Sequence, residues 1–196
     1  VVLAVVGGGM AGLHAALHLT EAGKKVVLLE RNICGGSSTG KSAGFLTPDS
    51  ELELNQLVRR YGWEDAKKVW TIPAEGVDLI VRNIKKYKLK CDLQKQDSLF
   101  LGIGESGKKA VHEEARAREK LGFPYTLYDK KNLKSVNTGK DYTAGIQYSG
   151  TYGINSLLYA QELKAVLLKL GAKIYESTEV MSIEGHTAKT HLGSVT

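Results

Sequence analysis

Two glycine-rich stretches near the start of the sequence have the composition and spacing of loops that bind phosphate groups. Residues 7–12 read GGGMAG and fit the pattern G-x-G-x-x-G, which binds the pyrophosphate of a dinucleotide. Residues 35–42 read GGSSTGKS and fit the pattern G-x-x-x-x-G-K-[ST], which binds a nucleoside triphosphate. The two patterns indicate different ligands, so the elements that position each stretch must decide which chemistry the chain performs.

The first stretch lies inside a predicted strand–turn–helix–strand unit. Residues 1–6 form an uninterrupted aliphatic run, typical of a strand that is buried on both faces of a parallel sheet. Residues 10–22 have the apolar spacing of a helix, and residues 26–30 predict a second buried strand. A G-x-G-x-x-G loop binds a dinucleotide in this context, because the loop then leads into the N-terminus of a helix.

Each constrained residue has a role in that unit. Gly7 permits the tight turn, Gly9 lets the backbone approach a pyrophosphate, and Gly12 lets the helix pack against the strand. Glu30 ends the second predicted strand, where a carboxylate can accept hydrogen bonds from both ribose hydroxyls of an adenosine and repels a 2′-phosphate. The pattern fits NAD and FAD equally well.

The second stretch lacks the context of a triphosphate-binding loop. Such a loop connects a strand directly to a long helix that begins at the Lys-Ser pair. Here residues 31–34 separate the predicted strand from the glycines, and the chain reaches Pro48 soon after Ser42. The run VDLIV at 77–81 has its aspartate within a helical stripe, so it does not supply the second strand of such a site. We therefore predict that the chain is not a nucleoside triphosphatase.

The rest of the sequence predicts a mixed α/β protein. Helical patterns occupy 51–88 with a break near 72–73, then 107–121 and 157–170. Strands are expected at 91–94, 98–103, 125–128, 145–148, 173–175, 178–184 and 187–192. This order predicts a nucleotide-binding domain whose first segment is 1–76, an inserted α+β segment at 77–150, and a return to the nucleotide-binding domain at 151–196.

Composition excludes several classes of function. The chain has 196 residues, of which 42% are hydrophobic and 24% charged, as in globular proteins. Its net charge of +6 comes largely from lysine runs typical of solvated helix faces, so we expect no nucleic-acid partner. No apolar run is long enough for a transmembrane segment. Cys34 and Cys91 form no C-x-x-C pair, which favours a reducing compartment, and we expect a cytoplasmic protein.

The sequence around the second stretch is similar to the superfamily of FAD-dependent amino-acid and amine oxidases, which includes D-amino-acid, glycine and sarcosine oxidases. There a dinucleotide fold is followed by Glu-Arg, a short spacer and G-x-S-S/T-G-K/R-x-x-G, which residues 30–31 and 36–44 match. The resemblance continues through CDLQKQDSLFLG (91–102), LGFPYTLYDKKNL (121–133) and residues 148–184. Within the superfamily, the chain most resembles the gamma-glutamylputrescine oxidase-like subgroup.

The resemblance implies a Rossmann-like FAD-binding domain with an inserted α+β substrate-lobe segment, and FAD as the cofactor. In that superfamily the second loop wraps the cofactor pyrophosphate and runs under the flavin ring, and the residue matching Val180 contacts the adenine through its backbone. The residues implied in FAD binding are Gly7, Gly9, Met10, Ala11, Gly12, Glu30, Arg31, Gly36, Ser37, Ser38, Thr39, Lys41, Ser42, Ala43, Gly44 and Val180.

Two positions leave alternatives open. Lys41 is a candidate for a catalytic cation near N1 and C2=O of the flavin, and contact with phosphate or solvent is an equal alternative. Asp97-Ser98 stands where glycine-serine is more usual in the superfamily. No metal site is predicted, because His14 and His18 are one helical turn apart but no third ligand accompanies them.

The implied activity is oxidation of a C–N bond in an amine or amino acid by hydride transfer to flavin N5, with oxygen or another electron acceptor as the second substrate. Two alternatives remain: an FAD-dependent dehydrogenase of a hydroxy acid or glycerol phosphate, and a non-catalytic FAD-binding subunit. The sequence does not decide whether the protein forms a homo- or hetero-oligomer. The chain starts without Met, and the second half of the superfamily's sequence is absent. We therefore expect an N-terminal part, truncated at its C-terminus, that is inactive alone.

Overall fold

The described part of the chain, residues 2–48 and 52–196 of a computed structural model, is divided between two units. The first unit comprises Val1–Gly44, Asn83–Leu93 and Ile154–Thr196, and the second comprises Phe45–Arg82 and Gln94–Gly153. Helices are interspersed among the strands along the chain, which confirms the predicted mixed α/β fold. The domain limits predicted from the sequence, 1–76, 77–150 and 151–196, stay a prediction.

The regular elements follow the chain in a simple order. They are β1 (Val2–Val6), α1 (Met10–Glu21), β2 (Lys25–Leu29), β3 (Phe45–Leu46), α2 (Leu54–Tyr87), β4 (Gln94–Ile103), α3 (Gly104–Leu121), β5 (Thr126–Asp129), a short 3₁₀ helix (Asn132–Ser135), β6 (Tyr142–Gly153), α4 (Ser156–Lys169), β7 (Lys173–Tyr175), β8 (Val180–Glu184), β9 (Thr187–Thr190) and β10 (Gly193–Val195).

The first unit contains the predicted strand–helix–strand motif. Strands β1 and β2 pair in parallel, and β7 extends the sheet in the order β1-β2-β7. Helix α1 buries Leu13, Ala16 and Leu17, the apolar face that its spacing predicts. A second sheet, of antiparallel β8, β9 and β10, lies in the same unit. The predicted hairpin segment 187–192 therefore supplies one strand and the turn that leads into another.

The prediction that the first strand is buried on both faces is wrong. Residues of β1 alternate between exposed and half-buried, and Val6 is 50% exposed. In contrast, residues 26–29 of β2 are all buried. The faces of a strand are buried by what packs on them: Val27 and Leu29 of β2 pack with Ala188, whereas within the described residues β1 is an edge strand that pairs with β2 alone.

The second unit is built around the long strand β6. Strand β4 pairs with β6 along one edge, and β3 and β5 pair with separate parts of β6, all antiparallel. The two strands predicted at 91–94 and 98–103 are in fact one strand, β4, with a register shift between Gln96 and Ser98. Helix α3 packs on β4 and β6, where Val111 and Ala115 form a cluster with Ala144 and Ile146.

The break predicted in the second helix near residues 72–73 is misplaced. Pro73 lies inside α2, whereas the non-helical residue is Gly62, with φ of +78° and ψ of 173°. Glycine adopts this conformation without a steric penalty, so the chain bends there. The predicted start of this helix at residue 51 lies outside the described residues, and α2 begins at Leu54.

A buried ion pair on α3 links this helix to α2 in the second unit. Arg118 Nε donates to Glu114 Oε1 at 2.7 Å, and Glu114 Oε2 accepts the N–H of Asn55 at 2.8 Å. The guanidinium group lies 4.6 Å from the ring centre of Trp70 and 3.6 Å from that of Tyr148. Both charged side chains are almost fully buried, so each depends on the other for compensation of its charge.

Within residues 2–48 and 52–196, no helix is both long enough and apolar enough to cross a membrane.

Candidate cofactor-binding site

The first glycine loop makes the tight turn that the sequence predicts. Gly7 has a φ of +100°, which side chains rarely adopt, and its N–H donates to the carbonyl oxygen of Leu29 at 2.8 Å. A Cβ atom on Gly12 would overlap the carbonyl oxygen of Gly7. The loop and the first turn of α1 can therefore meet only if both positions are glycine.

The N-terminus of α1 offers donors to an anion. Gly9 is the N-cap residue and supplies no side-chain acceptor, and the first turn contains no acidic side chain. The first N–H groups of a helix have no partner within the helix, and the helix dipole adds a partial positive charge there. The hydroxyl oxygen of Thr39 accepts the N–H of Met10 at 3.1 Å. An oxygen from the second loop thus lies where helix N-termini bind phosphate oxygens.

The second glycine loop folds against the first. The N–H of Gly35 donates to the carbonyl oxygen of Gly8 at 2.8 Å, which adds a backbone link to the contact made by Thr39. Inside the loop, the N–H of Gly40 donates to the carbonyl oxygen of Gly35 at 2.7 Å. The Ser42 hydroxyl donates to the backbone carbonyl oxygen of Thr39 at 2.9 Å. The two stretches predicted to bind phosphate therefore meet at one helix N-terminus.

The surroundings of the second loop are not those of a triphosphate-binding loop. Residues 35–42 form successive turns, and the next regular element after Lys41 and Ser42 is the strand β3. A triphosphate-binding loop needs a helix that starts at the Lys-Ser pair, because its first N–H groups contact the phosphates. The structure thus agrees with the prediction that the Lys-Ser pair does not open a helix.

Glu30 lies directly beside the first loop. Its carboxylate is buried, with Oε2 accepting the N–H of Gly8 at 2.6 Å and Oε1 accepting the N–H of Asn32 at 2.8 Å. An ionised carboxylate has about four acceptor sites. Each oxygen can therefore accept one ribose hydroxyl and keep its backbone hydrogen bond. The contact with Gly8 also fixes the direction of the side chain at the end of β2.

The second loop is anchored by side chains that the sequence analysis did not single out. The N–H of Cys34 donates to Glu176 Oε1 at 2.7 Å, and its carbonyl oxygen accepts from Gln161 Nε2 at 2.6 Å. Lys164 forms an ion pair with Glu176 at 3.0 Å. Burial opposes the charge of Glu176, but hydrogen bonds from Cys34 and Lys164 outweigh it and lower the pKa of this carboxyl. The available signal was the i, i+3 spacing of Gln161 and Lys164, which puts both on one face of α4.

Cys34 itself is a packing residue. Its side chain is fully buried, and its Sγ lies close to the position that a Cβ on Gly8 would take. Burial, assisted by the negative charge of Glu176, raises the pKa of the Cys34 thiol to about 12. The thiol is therefore protonated at neutral pH and does not act as a nucleophile.

The other predicted cofactor residues belong to the same unit. Gly36, Thr39 and Gly40 are half-buried, and Gly44 is buried. Val180 is the first residue of β8 and packs against the cluster of Val27, Leu29 and Ala188. The nearby Thr178 donates its N–H to the carbonyl oxygen of Glu30 at 2.8 Å. The exposed members of the predicted set are Ala11, Arg31, Ser37, Ser38, Lys41, Ser42 and Ala43. Their contacts with a cofactor stay predictions.

The histidines of α1 have separate environments. His14 Nε2 lies 2.9 Å from the hydroxyl oxygen of Tyr159 on α4, whereas His18 is exposed. Burial, with a smaller contribution from His18, lowers the pKa of His14, and burial raises the pKa of Tyr159 to about 12. The contact therefore joins two neutral groups at pH 7. Across residues 2–48 and 52–196, no group of three or more His, Cys, Asp or Glu side chains is arranged to hold a metal ion.

Comparison with known proteins gives the chain a set of relatives. The sequence profile of the family described as FAD dependent oxidoreductase matches residues 3–196. "Probable oxidoreductase OrdL" of Haemophilus influenzae is 30% identical over 91% of this chain, and "Gamma-glutamylputrescine oxidoreductase" of Escherichia coli is 29% identical over 98% of it. The chain spans 42% and 46% of the lengths of these two proteins, somewhat less than half.

A solved structure shares the fold. Glycine oxidase from Geobacillus kaustophilus superimposes with a TM-score of 0.75 over 98% of this chain and 52% of its own chain, at 20% sequence identity. Together with the matched profile, this likeness confirms the predicted family and its cofactor, FAD.

Proposed function

The chain belongs to the FAD dependent oxidoreductase family, and from this premise we propose that the protein oxidises a C–N bond of an amine or an amino acid. The observation that carries the proposal is the meeting of the two glycine loops at the N-terminus of α1, through Gly35–Gly8 and Thr39–Met10. The names of two relatives, gamma-glutamylputrescine oxidoreductase and glycine oxidase, support an amine or amino acid as the substrate.

The residues of the first unit fit the chemistry of a dinucleotide. Two phosphates need several N–H donors, and the first turn of α1 offers them and contains no acidic side chain. Residues 36–44 would hold the pyrophosphate together with the Gly9–Gly12 turn, and Glu30 would bind the adenosine ribose. Val180 would contact the adenine through its backbone. The hydrogen bonds Gly35–Gly8 and Met10–Thr39 fix the two loops relative to each other.

The chemistry that FAD supplies when bound is acceptance, at N5, of a hydride from the carbon that bears the amine. The contribution of this chain is to hold the cofactor in place and to set the charge around it. Lys41 is our candidate for a cation that favours the reduced cofactor, because its exposed side chain can extend to a bound anionic group. The burial of Cys34 and the raised pKa of its thiol disfavour a reactive thiolate at this position.

We further propose that oxygen or another small acceptor removes the electrons and that the protein is cytoplasmic. Cys34 and Cys91 are both buried and unpaired, as expected in a reducing compartment.

The experiment is an anaerobic titration of the purified, FAD-loaded protein with amines, amino acids, hydroxy acids and glycerol phosphate. Oxidised flavin absorbs near ~450 nm, and reduction by a substrate bleaches this band. We expect bleaching by an amine or amino acid and none by the other compounds. Bleaching by a hydroxy acid or glycerol phosphate alone would replace the proposal with a dehydrogenase of that compound. If dithionite bleaches the flavin but no substrate does, the chain binds FAD without oxidising a substrate, as expected of an N-terminal part that is inactive alone or of a non-catalytic FAD-binding subunit.

A matched pair of lysine variants tests the role of Lys41. Lys41→Met removes the candidate cation, and Lys24→Met removes an exposed lysine elsewhere in the same unit. We expect slower bleaching by substrate in the first variant only. Equal rates in both variants would assign Lys41 to phosphate or solvent rather than to the flavin ring.

A further inference from the structure

A small hollow in the second unit has the chemistry of a cation site. Its volume is about 190 Å³, and its lining includes Asp97, Tyr125, Thr126 and Gln147. A water molecule takes up about 30 Å³ in the liquid, and pockets for drug-sized ligands start at about 300 Å³. The hollow therefore suits one small group rather than a nucleotide or a large metabolite.

Asp97 is presented to this hollow by an irregularity in the sheet. Gln96 pairs with Thr151 and Ser98 pairs with Tyr148, so two residues of β6 stand opposite the single residue Asp97. One of these two residues, Gly150, has a φ of +92°, as expected where an extra residue is accommodated. Such bulges interrupt the regular ladder and change the direction of a side chain, and they often occur next to binding sites.

A chain of hydrogen bonds fixes the carboxylate of Asp97. The Tyr128 hydroxyl donates to Gln147 Oε1 at 2.6 Å, and Gln147 Nε2 donates to Asp97 Oδ2 at 2.8 Å. The hydroxyl occupies the acceptor side of the amide, so the donor side is directed at Asp97. Gln147 engages one carboxylate oxygen, and Asp97 is exposed, so the other oxygen is accessible to a ligand.

The charge of the hollow favours a cation. Its lining contains one carboxylate and no lysine or arginine, and within the described residues Asp97 forms no ion pair. The chain as a whole carries a net charge of +6, and a larger cavity of about 470 Å³ in the same unit is lined by Lys130, Lys134 and Lys140. The Asp97 carboxylate is thus a local negative charge on a chain that is basic overall. The ring of Tyr125, which also lines the hollow, is compatible with a bound cation, because the face of an aromatic ring attracts positive charge.

We propose that this hollow binds a small primary ammonium group, with Asp97 as its counter-ion and Gln147 and Tyr128 as the residues that position the carboxylate. An ammonium group has three donors and no acceptor, which matches a carboxylate oxygen and the Thr126 hydroxyl. A carboxylate or phosphate ligand would be repelled by Asp97. The inference concerns binding and is independent of the proposed oxidation, since no electron transfer is involved.

The test is a calorimetric titration of the FAD-loaded protein, without oxygen, with ethylammonium chloride and with ethanol as the neutral analogue of similar size. We expect ethylammonium to bind and ethanol not to bind. Asp97→Asn retains the size of the side chain and removes its charge, so we expect the affinity for ethylammonium to fall roughly tenfold or more, because hydrogen bonds to charged acceptors are about twice as strong as neutral ones.

Two further variants make the result specific. Tyr128→Phe removes only the hydroxyl that orients Gln147, and we expect a several-fold loss of affinity in a protein whose thermal midpoint is close to that of the wild type. Asp141→Asn removes an exposed carboxylate from the same unit outside the hollow, and its affinity should be unchanged. The proposal is overturned if the wild type does not bind ethylammonium, or if Asp97→Asn and Asp141→Asn bind it as tightly as the wild type. If Asp97→Asn does not fold, Tyr128→Phe decides by the same criterion.

Failure of this proposal and failure of the proposed function have different signatures. Bleaching of the flavin by an amine in a protein whose Asp97→Asn variant binds ethylammonium normally would retain the oxidation and reject the hollow. If ethylammonium binding depends on Asp97 but no amine bleaches the flavin, the ammonium site is retained and the proposed oxidation is rejected.

Discussion

Replacement of Glu30 by glutamine is the change that probes the cofactor site most sharply. The carboxylate accepts two backbone N–H groups, one from Gly8 at 2.6 Å and one from Asn32 at 2.8 Å, with a different oxygen for each. A glutamine side chain of the same length has one carbonyl oxygen, and its other end is a donor. Glu30→Gln must therefore leave one of the two N–H groups facing an NH₂ group.

The magnitude follows from this count of acceptors. A buried donor without a partner costs about 1–3 kcal/mol in the free energy of unfolding, which in a chain of this size lowers the thermal midpoint by about 2–12 °C. Hydrogen bonds to a charged acceptor are worth about 1.5–3 kcal/mol and those to a neutral one about 0.5–1.5 kcal/mol. If two ribose hydroxyls lose this difference, the dissociation constant of FAD rises about 30- to 150-fold.

The assay measures both quantities on the same preparations. The affinity for FAD is obtained by fluorescence titration of the apoprotein, and the thermal midpoint is measured on the apoprotein to avoid stabilisation by the ligand. Glu162→Gln is the matched control, because Glu162 accepts one backbone N–H, from Lys90, which a glutamine can still accept. We expect the control to match the wild type in both measurements. Unchanged affinity in Glu30→Gln would refute the assignment of Glu30 to the ribose, even if the thermal midpoint falls.

Two further predictions concern the environment of the site and the core of the second unit. Since burial lowers the pKa of His14 below its ordinary 6.5, the unfolded chain takes up a proton there at a higher pH than the folded protein does. The free energy of unfolding should thus fall as the pH drops through and below about 6.5, and His14→Gln should show a smaller loss of thermal midpoint between about pH 7.5 and 5.5 than the wild type or the exposed-site control His112→Gln. Arg118→Leu leaves the buried Glu114 without its partner, and we expect a loss of about 3–5 kcal/mol in urea unfolding, whereas a loss below about 1 kcal/mol would contradict the buried ion pair.

The sequence was sufficient for the parts of the fold that depend on neighbouring residues. The order β1-α1-β2, the position of Gly7 and Gly12, and the place of Glu30 directly after the second strand follow from apolar spacing and from the backbone requirements of one turn. The rejection of a triphosphate loop also rested mainly on local context, namely the residues 31–34 between the strand and the glycines and the short distance from Ser42 to Pro48.

The remainder depended on contacts between residues that are distant in sequence. Burial of a strand's side chains depends on what packs on the two faces of the sheet, which the aliphatic run of β1 could not reveal; within the described residues β1 is an edge strand. The helix break fell at Gly62 rather than at Pro73, because a positive φ interrupts a helix and proline at this place does not. The anchor of Cys34 by Glu176 joins residues 142 positions apart, which no periodic pattern records.

The central claim is that the two glycine loops serve one FAD, and a crystal structure of the FAD-loaded protein tests it most directly. We predict that the pyrophosphate contacts both the first N–H groups of α1 and residues 36–44, and that the adenosine ribose hydroxyls bind Glu30. A pyrophosphate that contacts only one of the two loops, or a ribose bound away from Glu30, would contradict the account.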